Sequence, residues 1–527
     1  MIQHQFQLSS LYIFHYHLLP GGVTTVRRDG VFAILKNKKF LPKTLEKIVI
    51  VSSGSNKKAI EKTILPEDSL ASEKIKITVE LLKPIAYRHT PSSVQEQKQL
   101  SNMMLERYGD GLWWVHNYHL GKNTCFTGAC LYSAYRGQRM ILQIHDFPEC
   151  GRPENNKIIL NQLKIPFYPT VNNVHYIVIN PRDYKALLAA KINSDQISLV
   201  PNPILNKEKT LDFELDKLKS IKSSFNKLLP QGKESLLKSR PLWLYPVRAR
   251  RRKNLLEAGL LAKLNKCNLI ITLKAQSQKE KPYSDLVEKL FRDGIILGAF
   301  GIGEELENHK LTIQDLIKTA NVIISTSIEE GFGFQFLNAI QHQKPIITHD
   351  LDVLTQFKQK FRDYPAIIYN EVCCSLESKE RKELLNNYYK VLRNIRSSIT
   401  KTKEEELRNS LYTIISGEKI DFSFLSIPLQ KKILYRCNDK IFLNDMSNLN
   451  STLLQEISGL QVTSELELSE EINQSFGDES YSIKIVSIFR SILKASQPSF
   501  ETNLHGDKDK VYDFFLNIKN LRLLMYN

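Results

Sequence analysis

Residues 326–350 read TSIEEGFGFQFLNAIQHQKPIITHD, and they decide the fold on which the rest of the chain is built. A buried strand over 322–325 precedes this stretch. Its acidic, glycine-rich loop leads into a helix and then into a second strand over 345–348. This order predicts a β-α-β unit with two parallel strands. In open α/β sheets the loop at a strand's carboxyl end lines the ligand crevice, so we expect this loop to contact a ligand.

The side chains and glycines of the loop suit a polar ligand. Gly331 and Gly333 allow the backbone to approach a ligand closely, and the N–H groups that open the helix near Phe334 attract anions. Glu329 and Glu330 lie beside that anion site, where carboxylates suit sugar hydroxyls or a developing cation better than phosphate. A plain helix start, in which acidic residues complement the helix dipole, is the alternative interpretation.

The stretch resembles the acidic E-x7-E donor motif of the retaining GT-B glycosyltransferases called group 1 or family 4. Three further segments resemble that family in the order it uses. Residues 242–254 (LWLYPVRARRRKN) are similar to its strand followed by an arginine and, five residues later, a lysine; here these are Arg248 and Lys253. Residues 17–22 (HLLPGG) resemble its glycine-rich first loop, and residues 141–146 (ILQIHD) resemble its strand that ends in a histidine.

The matches cover roughly residues 11–360, and they imply the fold class. The expected architecture is α/β, with two Rossmann-like doubly wound domains facing a cleft (GT-B) and a helical or mixed C-terminal extension. Strands that alternate with helices in both halves of the sequence agree with this expectation.

The resemblance also implies a reaction and its residues. It implies transfer of a sugar, with retention, from a nucleotide-diphosphate sugar to an acceptor that the sequence does not identify, without a metal ion or other cofactor. Glu330 would hold the sugar hydroxyls, His145 would position the sugar, and Arg248 and Lys253 would stabilise the leaving diphosphate. The leaving phosphate serves as the base in the resembled enzymes. The implied donor-binding residues are Gly21, Gly22, Glu329, Gly331, Phe332, Gly333 and Asn338.

Asn338 is a departure from the family pattern, because it replaces the second acid of the E-x7-E motif. That acid holds the ribose diol in the family. A carboxylate can accept from both hydroxyls, whereas an amide offers one acceptor oxygen. We expect altered donor recognition, or a neighbour such as Glu329 or Gln335 that shares the task. Two alternatives stay open: a GT-B-shaped binding protein with little catalysis, and a phosphorylase or sugar-phosphate synthase on the same fold.

Histidines follow two of the predicted strands in the first half of the chain. His116 and His119 come after the strand over 112–115, and their spacing suits a metal, but no H-E-x-x-H sequence or third ligand accompanies them. The family has a polar, histidine-bearing strand end here that lines the acceptor side, and loop packing is the alternative. For His145 the alternative is a core histidine satisfied by Asp146.

No metal site is predicted. Two D-x-D sequences, at 350–352 and 507–509, lack the setting that a magnesium–diphosphate site needs. We interpret them as chance matches or surface pairs.

The length of 527 residues allows about three domains. A charged, lysine-rich segment interrupts the α/β pattern near its middle, and helical periodicity replaces it after about residue 370. We predict an N-terminal Rossmann-like acceptor domain (1–204), a charged helical linker or insertion (205–240), a Rossmann-like donor domain (241–375), closing helices (376–421) and an accessory C-terminal extension (422–527). The sequence assigns no function to the extension.

The formal net charge is +17, which is large enough to serve anionic partners. A solvated lysine-rich surface is the simplest interpretation, and peripheral membrane contact is an alternative because many enzymes of the resembled family touch membranes. The basic run at 248–253 could suit nucleic acid. However, no RNP, zinc-finger or helix-turn-helix signature accompanies it, so a nucleic-acid partner is not expected.

Cysteine usage and hydropathy bear on the compartment. Seven cysteines are an odd number without C-x-x-C spacing, which favours a reducing cytoplasm over a disulfide scaffold. No run of about eighteen apolar residues occurs, and residues 1–19 lack a basic start and a cleavage site. We expect a cytoplasmic protein, with a position at the inner face of the membrane as the alternative.

Overall fold

The structure is a computed structural model, and it describes residues 7–18, 22–54, 75–88, 90–205, 240–358, 364–460, 469–495 and 505–525. The chain divides into two compact units. The first unit joins Met1–Glu208 to Ser469–Leu516, and the second joins Lys209–Leu468 to Asn517–Asn527. The predicted linker at 205–240 lies almost wholly outside the described residues.

The first unit contains a seven-stranded sheet with the order β3-β2-β1-β4-β5-β6-β7, and every neighbouring pair is parallel. β-Branched and aromatic residues dominate its central strands, as expected for strands covered on both faces. The strands are β1 (Ser10–His17), β2 (Lys47–Ser53), β3 (Lys76–Leu81), β4 (Leu112–His116), β5 (Met140–Ile144), β6 (Val174–Val178) and β7 (Ile197–Leu199).

Eight described helices accompany this sheet. Side chains cap several of them: the helix Val94–Tyr108, for example, begins with a capping box between Ser93 and Glu96. The helices are Gly22–Lys36, Val94–Tyr108, Thr124–Tyr135, Pro153–Gln162, Pro181–Ala189, Ser469–Phe476, Asp478–Lys494 and Lys508–Phe515.

The helix Asp478–Lys494 completes the core of the first unit, although it lies late in the sequence. Its apolar face packs against the helix Gly22–Lys36 and the sheet. The ring of Phe489 meets the ring of Trp114 edge-on, with centroids 6.0 Å apart. A Cβ atom at Gly30 would lie 2.8 Å from the hydroxyl of Tyr481, so the two helices approach too closely there for a larger residue.

The second unit contains a six-stranded parallel sheet with the order β10-β9-β8-β11-β12-β13. A short antiparallel pair, β14 with β15, stands apart from it. The strands are β8 (Leu242–Arg248), β9 (Asn268–Leu273), β10 (Gly298–Phe300), β11 (Val322–Ser325), β12 (Ile346–His349), β13 (Ala366–Tyr369), β14 (Cys373–Cys374) and β15 (Ile420–Asp421).

The described helices of the second unit fall into two groups. Those up to residue 358 alternate with the strands, and the later ones follow each other with short connections. They are Leu255–Leu264, Lys281–Arg292, Ile313–Thr319, Phe334–Gln341, Thr355–Lys358, Ser378–Ile395, Lys401–Ser416, Ile427–Arg436, Lys440–Leu449, Ser451–Ser458 and Ile518–Met525.

Both sheets confirm the predicted Rossmann-like, doubly wound class. In each sheet, the first three strands of the sequence extend from the centre to one edge, and the later strands extend from the centre to the other edge. The strand order therefore reverses between β1 and β4 and between β8 and β11. These reversals are the points at which such sheets bind ligands. Gly298 to Phe300 form the edge strand β10, which pairs with β9.

The carboxyl-terminal residues divide differently from the predicted scheme. The helices expected to close the fold, Ser378–Ile395 and Lys401–Ser416, belong to the second unit. The expected extension is shared, because 469–516 joins the first unit and the rest joins the second. The physical reason is the apolar face of the helix Asp478–Lys494, which the first unit buries.

Two properties predicted from composition can be compared with the structure. All seven cysteines are buried and free of disulfides. Across the described ranges, no helix is both long enough and apolar enough to cross a membrane.

Candidate active site

Two loops of the second unit meet at the carboxyl edge of its sheet. The loop after β8 and the loop after β11 are neighbours because these strands pair in parallel. The N–H of Ile328 donates to the carbonyl of Arg252 at 3.0 Å, and the hydroxyl of Thr326 donates to the carbonyl of Asn254 at 2.9 Å. A backbone N–H and a side-chain hydroxyl of the acidic loop therefore fix it against the basic segment.

Lys253 and Glu330 form a buried ion pair where these loops meet. The bonded carboxylate oxygen of Glu330 also accepts from the hydroxyl of Ser327 at 2.6 Å and from the amide of Gln335 at 3.1 Å. Only 7% of Glu330 is exposed. Burial lowers the pKa of Lys253, and the charge of Glu330 opposes that shift. The structure thus joins two residues that the motifs predicted as catalytic.

A second ion pair joins Arg252 to Glu329, and the sequence analysis did not predict it. Arg248, which was predicted, lies at the end of β8, where its guanidinium donates to the carbonyl of Lys274 at 2.9 Å. Burial lowers the pKa of Arg248. The described contacts of Arg248 therefore do not include the Lys253–Glu330 pair. The adjacent Glu329 and Glu330 each have a basic partner from the run at 248–253.

Buried polar groups beneath the loops hold them in place, and sequence reasoning missed these groups. The hydroxyl of Tyr245 donates to the carbonyl of Lys253 at 3.0 Å and lies 2.7 Å from the hydroxyl of Ser327. Asn254, with φ of 48°, donates to the carboxyl of Glu257 at 2.7 Å. Burial, followed by the charge of Asp421, raises the pKa of Glu257 to about 8. A tyrosine inside an otherwise apolar strand was the signal available in the sequence.

The glycine loop takes the backbone geometry that its residues suggest. Gly333 has a φ of 88° and precedes the helix Phe334–Gln341, and a Cβ atom there would lie 2.3 Å from the ring of Phe336. Gly331 is partly exposed in the same loop. The side chain of Phe332, by contrast, is buried against the rings of Phe334 and Phe357.

Asn338 lies within this helix and is partly exposed. Among the residues that the structure describes, its side-chain amide has no hydrogen-bond partner. Gln335, one turn earlier, donates to Ser325 at 2.6 Å as well as to Glu330. The amide N–H groups of Gln335 therefore bind side chains within the protein. Asn338 therefore lies at the position of the second acid in the family motif, and its side-chain amide has no hydrogen bond to a described neighbour.

In the first unit, His116 and His145 meet at the carboxyl ends of β4 and β5. Their ring nitrogens lie 2.9 Å apart, and the rings stack with an interplanar angle of 6°. Burial lowers the pKa of His145 to about 4 and that of His116 well below its usual value, so both imidazoles are neutral near pH 7. The ring of His145 therefore has His116 as its hydrogen-bond partner, while Asp146 pairs with Arg152 at 3.1 Å and its charge also acts on His145.

Arg27 lies in the helix Gly22–Lys36 and is 1% exposed. None of its three guanidinium nitrogens has a hydrogen-bond partner among the described residues. Burial lowers the pKa of Arg27 to about 9, and its charge helps to lower the pKa values of His15, His17 and His116. A buried cation without a partner is costly, which makes it a candidate for contact with an anion.

His119 and the glycine-rich first loop complete the predicted residues of the first unit. His119 is fully buried against aromatic rings, and neither ring nitrogen has a hydrogen-bond partner among the described residues. Burial lowers its pKa to about 3. Gly22 begins the helix Gly22–Lys36, with open space around its Cα, whereas Gly21 lies outside the described residues.

Within the described ranges, no group of three or more histidine, cysteine, aspartate or glutamate side chains is arranged to hold an ion. Of the two D-x-D sequences, 507–509 begins a helix: the carboxylate of Asp507 accepts from the N–H groups of Asp509 and Lys510. In the other, Asp350 pairs with Lys358 at 3.0 Å.

Comparison with known proteins adds one relative across almost the whole chain. The chain is 32% identical to mannosylglucosyl-3-phosphoglycerate synthase from Petrotoga mobilis, in an alignment that covers 98% of this chain and 99% of that protein. No protein-family model matches the chain.

Solved structures show only a distant likeness. Sucrose-phosphate synthase from Thermosynechococcus elongatus is 13% identical, with a TM-score of 0.47, and covers 93% of this chain and 100% of its own. The catalytic domain of starch synthase IV from Arabidopsis thaliana is 10% identical, with a TM-score of 0.42, and covers 91% and 100%. Family membership therefore rests on the relative from Petrotoga mobilis.

Proposed function

Because the chain belongs to the GT-B glycosyltransferase family that includes mannosylglucosyl-3-phosphoglycerate synthase, we propose that it transfers a hexosyl group to an anionic, phosphorylated acceptor with retention and without a metal ion. The enzyme class and the use of a nucleotide-sugar donor follow from the family. The stereochemistry, the independence from metal and the acceptor are the proposal.

The observation that carries the proposal is the Lys253–Glu330 pair at the reversal point of the second sheet. Departure of a nucleoside diphosphate builds negative charge on its β-phosphate, and preorganised cations stabilise such charge by several kcal/mol. Lys253 and Arg248 would supply these cations, with Arg252 close by. A cation fixed by the fold can take the part that a metal ion plays in other transferases.

Glu330 would act on the sugar. The bond between C1 and the phosphate oxygen breaks as the acceptor oxygen bonds to C1 on the same face, and the acceptor proton passes to the leaving phosphate. A carboxylate beside C1 stabilises the positive charge that develops there and accepts hydrogen bonds from ring hydroxyls. Ser327 and Gln335 hold Glu330 in one orientation, which suits this task.

The first unit would bind the acceptor. The name of the relative describes a product that contains mannosyl, glucosyl and 3-phosphoglycerate groups. We therefore propose that the hexosyl group is mannosyl and that the acceptor is a glucosylated 3-phosphoglycerate. The neutral His116–His145 pair can exchange hydrogen bonds with sugar hydroxyls, and the positive formal charge of +17 favours an acceptor that carries a carboxylate and a phosphate.

The experiment is release of nucleoside diphosphate from UDP-, GDP- and ADP-mannose and -glucose, with and without glucosyl-3-phosphoglycerate, in the presence of EDTA. We expect acceptor-dependent release from one donor and an α-configured product by NMR. Glu330→Gln should lower the turnover number about a hundredfold. Glu383→Gln, an exposed position in the helix Ser378–Ile395, is the matched control and should leave turnover unchanged.

Asn338 favours a second candidate, a GT-B-shaped protein that binds a nucleotide or glycan but turns it over poorly. Its amide has no partner among the described residues and offers one acceptor to a ribose diol. If the wild-type protein binds a nucleoside diphosphate yet releases none from any donor in the panel, this second candidate replaces the first.

A further inference from the structure

The carboxyl-terminal residues 505–515 are built into the first unit. The N–H of Gly506 donates to the carbonyl of Tyr168, and that of Asp507 donates to the carbonyl of Ala190, both at 2.7 Å. The helix Lys508–Phe515 follows directly, and the ring of Phe515 lies 5.0 Å from the ring of Phe147. This segment therefore delivers its first helical side chain, Lys508, to a fixed position.

Lys508 is partly exposed as a residue, but its ammonium group is buried. Its ammonium nitrogen is inaccessible to solvent and has no hydrogen-bond partner among the described residues. The nitrogen lies 5.1 Å from the centre of the Phe167 ring, and its charge interacts with Glu149 and His119. Burial lowers the pKa of Lys508, as expected for a cation removed from water.

Other polar atoms in the same neighbourhood also lack partners among the described residues. They are both ring nitrogens of His119, one terminal nitrogen of Arg152 and one carboxyl oxygen of Glu149. His119 connects the group, because the charges of both Arg152 and Lys508 act on its ring. Buried polar atoms are satisfied in almost all native proteins, so several unpartnered atoms in one place need an explanation.

The position and charge of this cluster favour an anion. His119 follows β4, and Glu149 and Arg152 follow β5, at the carboxyl edge of the sheet. Arg152 immediately precedes the ten-residue helix Pro153–Gln162, whose first N–H groups add to the positive potential. Asp146 engages one terminal nitrogen of Arg152 at 3.1 Å and leaves the other without a partner. Burial raises the pKa of Glu149 to about 7, so its carboxyl group opposes an anion only weakly near neutrality.

We propose that Lys508, Arg152 and His119 form the subsite for the anionic end of the acceptor, and that Lys508 makes the carboxyl-terminal segment a determinant of acceptor specificity. This inference rests on the proposed function. The ligand chemistry is a phosphate or carboxylate group, here the 3-phosphoglycerate part of the acceptor, bound by two cations and an imidazole in a site shielded from water.

Calorimetric titration of the protein with 3-phosphoglycerate tests the subsite without the transfer reaction. Lys508→Met retains the aliphatic stem over Phe167 and removes the charge, so we expect affinity about tenfold weaker or more. Lys510→Met alters an exposed lysine of the same helix and should leave the affinity within about twofold. Equal affinities for the wild-type protein and Lys508→Met would overturn the proposal.

Two probes identify the anionic group. Glycerol 3-phosphate retains the phosphate but lacks the carboxylate, and glycerate retains the carboxylate but lacks the phosphate. If Lys508→Met weakens the binding of only one of these probes, the anionic group that this probe retains is the one that Lys508 binds. Lys508→Arg should restore most of the affinity. Thermal unfolding of each variant shows whether the helix still packs.

Steady-state kinetics separate the two proposals. We expect Lys508→Met to raise the KM for glucosyl-3-phosphoglycerate about tenfold, while the KM for the donor stays within about twofold of the wild-type value. A wild-type enzyme that turns over, together with an unchanged KM in the variant, contradicts the subsite and leaves the function intact. A wild-type protein that releases no nucleoside diphosphate but binds 3-phosphoglycerate through Lys508 contradicts the function and retains the subsite.

Discussion

The candidate sites of the two units differ in whether their buried charged groups have partners within the described part of the protein. In the second unit, Lys253 pairs with Glu330 and Arg252 pairs with Glu329, and hydroxyl and amide groups hold the carboxylates. In the first unit, buried polar groups such as those of Arg27 and Lys508 have no partners among the described residues. The site of the second unit is preorganised by the protein itself, whereas under our proposal the unpartnered groups of the first unit would receive hydrogen bonds from a ligand.

The largest effect should come from removing the cations of the self-paired site. The double change Arg248→Ala/Lys253→Ala should lower donor turnover about a thousandfold, because it removes the charges that stabilise the leaving diphosphate. Release of nucleoside diphosphate under saturating donor measures it. Lys289→Ala/Arg292→Ala, an exposed lysine and arginine in one helix of the same unit, is the control. A loss smaller than about tenfold would mean that this pairing serves structure alone.

The self-paired site was the more predictable of the two. Each of its motifs lies in a short segment at the end of a strand, and adjacent parallel strands bring such segments together, although Lys253 and Glu330 are 77 positions apart. Arg252 and Tyr245 were missed because nothing in the sequence says which member of a basic run, or which strand tyrosine, turns inward. The assignment of individual residues to catalysis stays a prediction.

For the first unit, the sequence predicts where the strands lie but not how the later helices pack against the sheet. Alternating β-α patterns indicate each strand, but apolar periodicity in 478–494 does not say which sheet the helix covers; long-range packing such as that of Phe489 on Trp114 decides it. For the same reason the sequence analysis assigned no role to Lys508 and interpreted the D-x-D sequence at 507–509 as a chance match or a surface pair. The burial of the Lys508 ammonium group depends on Tyr168 and Ala190, whose carbonyls bind the preceding residues.

The next prediction concerns how the stability of the first unit depends on pH. Burial raises the pKa of Glu149 from 4.5 to about 7, so the folded protein retains a proton that the unfolded chain releases between these values. The free energy of unfolding should therefore fall by up to about 3 kcal/mol as the pH rises through that window. Urea unfolding of Glu149→Gln should lack this decline relative to wild type. Glu383→Gln should retain it, and a Glu149→Gln curve parallel to wild type would contradict the expectation.

A smaller effect concerns the other unpartnered cation. Arg27→Met replaces a buried guanidinium with an apolar chain, so we expect the free energy of unfolding to increase by about 2 kcal/mol while transfer activity falls. Arg28→Met, next along the chain, breaks a half-exposed pair with Asp29 and should change stability by about 0.5 kcal/mol or less. Destabilisation by Arg27→Met would show that contacts within the fold offset the burial of the charge.

The smallest effect tests the departure from the family motif. Asn338→Glu supplies a carboxylate that can accept from both ribose hydroxyls, so affinity for the preferred nucleoside diphosphate should rise about fivefold in a calorimetric titration. Gln341→Glu adds the same charge at an exposed position of the same helix and serves as the control. Equal affinities for Asn338→Glu and wild type would indicate that the ribose is recognised elsewhere.

The distribution of the two units along the chain has a consequence for biosynthesis. The chain passes from one unit to the other after Glu208, after Leu468 and after Leu516. The ribosome makes the sheet of the first unit early, yet the helix Asp478–Lys494 that covers part of its core emerges nearly at the end. The second unit can assemble its sheet as it is released and adds only the short helix Ile518–Met525 later, whereas the sheet of the first unit keeps an apolar surface uncovered while the second unit is synthesised. Chaperone dependence should therefore fall on the unit that is synthesised first.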